Sequence, residues 1–466
     1  MAKDRNLTRD KIDFGDGKIG PLFRALFFPT LIGMIFNSAF TLIDGIFVGQ
    51  GVGANGIAAV NIVAPIFMVG TGIGLMLGIG SSVIASIKLS QDNVKAARII
   101  LTQAFIVGLV VMGLIAAVCM SAPHAVVKAL GSSCVLEELG VSYLIWLSPG
   151  LIFLYLECVG MMLIRLDGSP KYAMTVQIVA AVINIVLDWV MIFPLGWGLM
   201  GAAFATSIAC ASGGVLVLVY FLWFSDKLKF YRLKCSLTSL LLTLRNVWYM
   251  TKIGFATFLT ELAMSIMMLT GNYMFISMLG EAGVAAFAVA CYLFPLVFSV
   301  SNAVAQSAQP IISYNYGAHN LSRVSRALRV SLLTAVICGA VIVVGLLFGA
   351  SGITGLFLAP SETAYNLAVK GLPLFATCSV FFAVNIAFIG YYQSIEKALA
   401  STLFTLLRGV ILLVPSFILL PRLIGVPGLW LAIPLAELLT GILITLYYLR
   451  SRYPVQLLES ARIYSN

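Results

Sequence analysis

Asn184 and Asp188 stand four residues apart in an otherwise apolar run, Ile178–Thr206, which reads IVAAVINIVLDWVMIFPLGWGLMGAAFAT. On a helix that spacing stacks the amide and the carboxylate on one face, one turn apart. The run is long and apolar enough to cross a bilayer. An ionised aspartate there costs about 2.5–3.5 kcal/mol on insertion scales, so such a residue faces a cavity or binds something. Thr206 on the next span, Asp44 near the outer end of the first and Tyr143 at the outer start of the fourth reach a similar depth, judged from the helical rise. Asn184 lies one turn deeper. Two carboxylates, an amide oxygen, a hydroxyl and free carbonyls form an oxygen-lined site for a hard monovalent cation. Without an ion the two carboxylates repel, and one of them is expected to hold a proton. The same set thus serves H⁺, or Na⁺ held by Asp44, Asn184, Asp188 and Thr206. The competing reading is that these side chains tie helices together by hydrogen bonds, or, for Tyr143, that an aromatic ring anchors the membrane interface.

The elements that carry these residues follow from composition. The chain has 466 residues, 61% hydrophobic and 10% charged, which defines an all-α polytopic membrane protein. The first twenty residues are polar with mixed charge and hold no apolar signal-peptide region, so no cleavage is expected. Apolar windows of bilayer length predict twelve spans near 22–48, 58–87, 99–122, 141–164, 172–194, 199–224, 250–278, 284–312, 327–350, 366–392, 400–424 and 428–449. The polar interruption Ser225–Val247 divides them into two sets of six: an amino-terminal lobe over 1–224, a cytoplasmic linker over 225–247 and a carboxy-terminal lobe over 248–466. With both termini inside, 24 of the 28 Lys and Arg fall on the cytoplasmic side; Lys128, Lys370 and Arg422 lie outside and Arg408 within a span. That bias sets the topology and accounts for the net charge of +10 without nucleic acid. GIAAVNI (Gly56–Ile62) matches GVAAFAV (Gly283–Val289) at a shift of 227 residues, which also pairs Asn93 with Asn320, and Gly198 and Gly201 with Gly425 and Gly428. Two halves of six spans share one orientation, related by a pseudo-two-fold axis along the membrane normal, an arrangement suited to alternating access.

Other residues narrow the chemistry. The eight cysteines are dispersed with no C-x-x-C, so free thiols are expected rather than disulfides or zinc. Two histidines, His124 and His319, fall in loops and offer no relay through the membrane. Neither a cofactor site nor an activated nucleophile is evident, and no enzyme is expected. The glycines of VGTGIGLMLGIGSS in the second span follow no strand and precede no G-K-[ST], so they read as close helix packing rather than a phosphate loop. Glu261, mid-span, reads as a substrate or secondary proton site. Glu157 and Glu437 are open between structural and functional roles. Arg408 either snorkels or pairs with Glu437. Pro29, fifteen residues before Asp44, either hinges the first helix or kinks it statically. Met and Phe, at 17 and 29 residues, could line an adaptable cavity, although most face lipid.

IDGIFVG (Ile43–Gly49), NIVLDW (Asn184–Trp189), GAAFAT (Gly201–Thr206), KIGFATFLTE (Lys252–Glu261) and QPIISYNYGA (Gln309–Ala318), in this order on twelve spans, resemble the multidrug and toxic-compound extrusion (MATE) family, in the flavour of its MepA-type bacterial branch. The resemblance implies two six-helix lobes and antiport of H⁺ or Na⁺ against bulky, often cationic drugs by a monomer of the bacterial cytoplasmic membrane. By motif it assigns Asp44, Asn184, Asp188, Thr206 and Tyr143 to a coupling site and Glu261 to the acid used on the seventh helix. Two departures stand out: Met161 replaces an asparagine that related sites can carry, and Asn366–Tyr392 holds no carboxylate where some Na⁺-coupled relatives have one. A lipid-linked oligosaccharide flippase of the same superfamily is the alternative, but anionic cargo calls for intramembrane bases, and Arg408 is the one available.

Overall fold

The computed structural model describes residues 12–132, 134–234, 236–361 and 363–463. A segment in lipid must satisfy its own backbone, and the described residues contain helices and no strands. The long helices are α1 (Ile19–Gly51), α2 (Ala54–Ser90), α3 (Val94–Ser121), α4 (Cys134–Leu166), α5 (Pro170–Ile192) and α6 (Gly198–Val219, extended by a π turn to Phe224). One continuous helical run, Leu237–Gly317, is 81 residues long, about four times what a bilayer needs. It reverses at Gly280, whose φ of 64° breaks the helix, and Phe275 stacks on Phe287 across the turn with ring centroids 4.5 Å apart. The run therefore supplies two spans, α7 (237–279) and α8 (281–317). The remaining helices are α9 (Leu321–Gly355), α10 (Thr363–Ala376 and Cys378–Ser394), α11 (Ala398–Leu406, a π turn Leu407–Ile411, then Leu413–Ile424) and α12 (Val426–Ile463). Eleven runs are long and apolar enough to cross a membrane; counting the reversal at Gly280, the twelve expected spans are present.

The sequence repeat is also a backbone repeat. Left-handed residues recur in pairs 227 or 228 positions apart: Gly53 with Gly280, Asp92 with His319, Gly168 with Glu396, and Gly198 with Gly425. Asn93 and Asn320 then do the same work: each side-chain oxygen accepts from the backbone N–H three residues on, Ala96 at 3.0 Å and Arg323 at 3.2 Å, capping the helix that follows.

One difference from the sequence reading concerns a helix end. α7 begins at Leu237, inside the polar interruption, because Ser236 caps it by accepting from Ser239 N at 3.2 Å. Its first turns expose Leu240, Leu241, Leu244 and Trp248, the mark of a helix lying in a membrane interface. α1 runs unbroken through Pro29.

The chain divides into two compact units. The larger holds residues up to Leu262 with Ala303–Ser331 and Gly390–Ala398; the smaller holds Ala263–Asn302, Leu332–Ile389 and residues from Leu399. In the larger unit α4 is the central helix, packed against α2, α3 and α6, with Leu147, Leu151, Tyr155, Val159 and Leu163 all at 1% exposure or less. Tyr155 reaches α3, donating to Ala104 O at 2.6 Å. Toward its Ser90 end α2 meets α7 and α8: Ser86 donates to Pro310 O at 3.3 Å and Gln309 to Ile79 O at 3.4 Å. Gly80 and Gly254 admit each other's helices, since a methyl at Gly80 would strike the Met250 carbonyl and one at Gly254 the Met76 carbonyl. The start of the 225–236 connection is fixed by Asp167, whose carboxylate accepts from Leu228 N at 3.0 Å, Lys227 N at 3.2 Å and the Tyr220 hydroxyl at 2.7 Å.

Candidate ion-coupling site

α1, α5 and α6 bring the polar residues of the amino-terminal half together. α5 packs on both α1 and α6, and its buried stripe Ala173, Val176, Ala180, Ala181, Asn184, Asp188, Ile192 keeps helical spacing. Asn184 and Asp188 are therefore turned inward with the apolar residues, at 1% and 0% exposure. The carboxyl groups of Asp44 and Asp188 lie within hydrogen-bonding reach of one another. Asn184 donates its amide N–H to Thr206 Oγ1 at 3.4 Å, and that hydroxyl donates to Ala202 O at 3.0 Å. Tyr143 is 6% exposed and within electrostatic reach of both carboxyl groups. All five residues singled out in the sequence thus converge.

The polar accounting of the cluster is unbalanced. Asp44 Oδ1, Asp188 Oδ1, Asp188 Oδ2 and Asn184 Oδ1 are all buried without a hydrogen-bond donor, and among the described residues no Lys, Arg or His pairs with either aspartate. Buried acceptors without donors are expensive. Four such oxygens, three on the two aspartates and one on Asn184, are chemically suited to a proton or a small cation. The described residues contain no group of three or more His, Cys, Asp and Glu placed for a metal; the donor set here is two carboxylates helped by neutral oxygens, the pattern of a hard monovalent ion rather than zinc.

The other ionisable residues separate from this cluster. Glu261, partly exposed on α7, lies beside Gly72 of α2. Glu157, partly exposed on α4, rests against Gly213 of α6. Arg408 is paired rather than snorkelling: its Nε and Nη2 meet Glu437 Oε1 at 3.0 and 2.8 Å, and the pair is 5% and 3% exposed. Met161 is buried in the core of the larger unit. The six described cysteine side chains are free; the side chains of Cys134 and Cys235 lie outside the described ones.

Sequence reasoning missed two features. Asn385, at 0% exposure, donates to Glu437 Oε2 at 2.7 Å and to its carbonyl at 2.8 Å. Arg165, counted above among the loop cations, is 2% exposed and donates to Gln306 of α8 at 2.6 Å. Its place at the last residue but one of α4 gave no sign that a neighbouring helix covers it.

Fold and site together describe a polytopic helical membrane protein with a buried, charge-unbalanced acidic site in one half. The chain belongs to the MatE family, whose model matches residues 29–190 and again 256–418, once in each half. It is 23% identical to the multidrug export protein MepA of Staphylococcus saprophyticus over 92% of this chain and 94% of that protein. It is 24% identical to a protein of Shewanella oneidensis named an FAD transporter, over 95% and 97%. Among solved structures it resembles an outward-facing multidrug resistance MATE transporter of the MOP superfamily with a TM-score of 0.88, 22% identity and coverage of 97% and 99%.

Proposed function

We propose that the protein is a secondary multidrug exporter of the cytoplasmic membrane, working by alternating access between two six-helix lobes. Each cycle brings in H⁺ or Na⁺ at Asp44 and Asp188, with Asn184 and Thr206 completing the oxygen set and Tyr143 walling it. The observation that carries this reading is the set of four buried oxygens without donors around two facing carboxyl groups. A bound cation lowers the energy of whichever conformation offers those oxygens, and it can shift the equilibrium only through that differential affinity. Asp44 and Asp188 sit on different helices, so loading the site ties α1 to α5 and unloading releases it. Pro29 removes one backbone bond from α1, which eases bending of the helix that carries Asp44. Export of drugs follows the names of the staphylococcal relatives, multidrug export proteins; that the compounds are bulky and often cationic is part of the proposal, with Glu261 and Glu157 as the acids left to meet such a cargo. Asp188→Asn should remove drug resistance in cells and ethidium export from proteoliposomes under an imposed pH or Na⁺ gradient, while the protein stays folded. Wild-type export by this variant would take the site out of the mechanism.

Anionic cargo, whether a lipid-linked oligosaccharide or a dinucleotide as in the Shewanella relative's name, is a second reading. Arg165 favours it: its guanidinium is buried, its Nε has no partner, and no carboxylate faces it among the described residues. Arg408 weighs against it, being consumed by Glu437. Proteoliposomes loaded with ethidium or with a flavin dinucleotide separate the two.

A further inference from the structure

The smaller unit contains a second buried acid whose construction parallels the first. Glu437 on α12 is flanked by Asn385 of α10, as Asp188 is by Asn184. Here, however, both carboxylate oxygens are satisfied. Arg408 binds Oε1 through two nitrogens and reaches Oε2 at 3.3 Å, and Asn385 takes Oε2. The guanidinium is held in turn by the Phe382 ring, 4.2 Å from its centroid. Arg408 also sits on the π turn Leu407–Ile411, closed by Leu412 N donating to Leu407 O at 2.8 Å. One extra residue in that turn rotates the side chains that follow relative to those before it, and such bulges gather at functional positions. Gly409, beside Arg408, lets the turn approach Ala263 of α7, where a methyl would lie 2.5 Å from the alanine Cβ.

The geometry points to Arg408 as a tethered counterion: its guanidinium occupies the place an exchangeable H⁺ or Na⁺ would otherwise take at Glu437. The smaller unit's acid is thereby closed to ions, and ion exchange is confined to the Asp44/Asp188 site. This rests on the coupling role proposed for that site, but concerns how many ion sites the molecule has. The titratable groups facing Glu437 are Arg408 and Cys378 of α10.

The test is the thermal stability of the detergent-solubilised full chain in Na⁺ against choline at matched ionic strength. Asp188→Asn is expected to abolish the Na⁺ response. Adding Arg408→Met in that background frees Glu437 and Asn385 and should restore a Na⁺-dependent rise of about 2–3 °C, the scale for a chain of this length when Na⁺ at about 100 times its Kd contributes roughly 2.7 kcal/mol. A folded Asp188→Asn/Arg408→Met protein indifferent to Na⁺ overturns the proposal. Should that variant not fold, Asp188→Asn decides the matter. Loss of its Na⁺ response supports the tethered counterion. A response that remains but disappears in Asp188→Asn/Arg408→Met/Glu437→Gln overturns it, whereas one that survives this change locates ion binding elsewhere, leaves Arg408 as described, and sinks the Asp44/Asp188 reading.

Discussion

The two halves bury acids in opposite ways. In the amino-terminal half Asp44 and Asp188 lie together with four donorless oxygens, three of their own and one of Asn184; in the carboxy-terminal half Glu437 is gripped by Arg408 and Asn385. Burying a charge is tolerable only when it is paired or neutralised; among the described residues the two aspartates have no fixed countercharge, whereas Glu437 has one in Arg408, and the atoms of that second cluster left without a hydrogen bond are Arg408 Nη1 and Asn385 Oδ1. On the proposed reading, one repeated fold holds a site that changes occupancy beside one that does not.

The largest expected effect breaks the paired site. Arg408→Met or Glu437→Ala leaves one buried charge without its partner, which should cost about 3–5 kcal/mol, read as a collapse of the monodisperse peak or a fall in melting temperature. The double Arg408→Met/Glu437→Met should recover most of that loss. At the unpaired site the same logic runs the other way: Asp188→Asn removes a buried acid that has no fixed partner and should leave the melting temperature equal or higher while transport is lost. Equal destabilisation by Asp188→Asn and Glu437→Ala would erase the contrast.

Next in size are the glycines that let helices touch. Gly80→Ala and Gly254→Ala each push a methyl into a carbonyl of the facing helix, and overpacking of this kind costs about 1–3 kcal/mol. Gly113→Ala, where nothing lies within 4 Å, should be neutral or slightly stabilising. Cysteine-labelling of the Ser90 end of α2 checks whether the first two loosen that packing and the third does not. A smaller effect is expected at Thr206→Val, which removes the 3.4 Å acceptor of Asn184; loss of one net hydrogen bond, about 1 kcal/mol, should weaken ion affinity roughly fivefold by equilibrium binding. Smallest should be Tyr143→Phe. The ring that walls the cluster is kept, so export within about twofold of wild type is expected for an aromatic whose burial outweighs its hydroxyl; a complete loss would make the hydroxyl a direct participant.

Much of this was legible in the chain before folding. Period, apolar length and the Lys/Arg bias require a polytopic helical protein, and Asn184 and Asp188 are forced onto one face by their spacing alone. Left-handed positions such as Gly53 and Gly280 are also written locally, because glycine is the residue that adopts them without strain. Gly280 falls between the spans that apolar length predicts, whereas the start of α7 does not follow from it, since LTSLLLTLRNVW is both polar enough for a loop and amphipathic enough for an interfacial helix.

What the sequence could not determine is which side of each helix meets which neighbour. Whether Asp44 turns toward Asp188 depends on the rotation of α1 against α5, and whether Arg408 finds Glu437 depends on a π turn that no residue pattern announces. Arg165 reads as a solvated loop cation until α8 covers it. Residue type and spacing set which groups must be buried and at what depth; only packing, acting between segments distant in the chain, decided whether each buried acid met a fixed partner or was left without one.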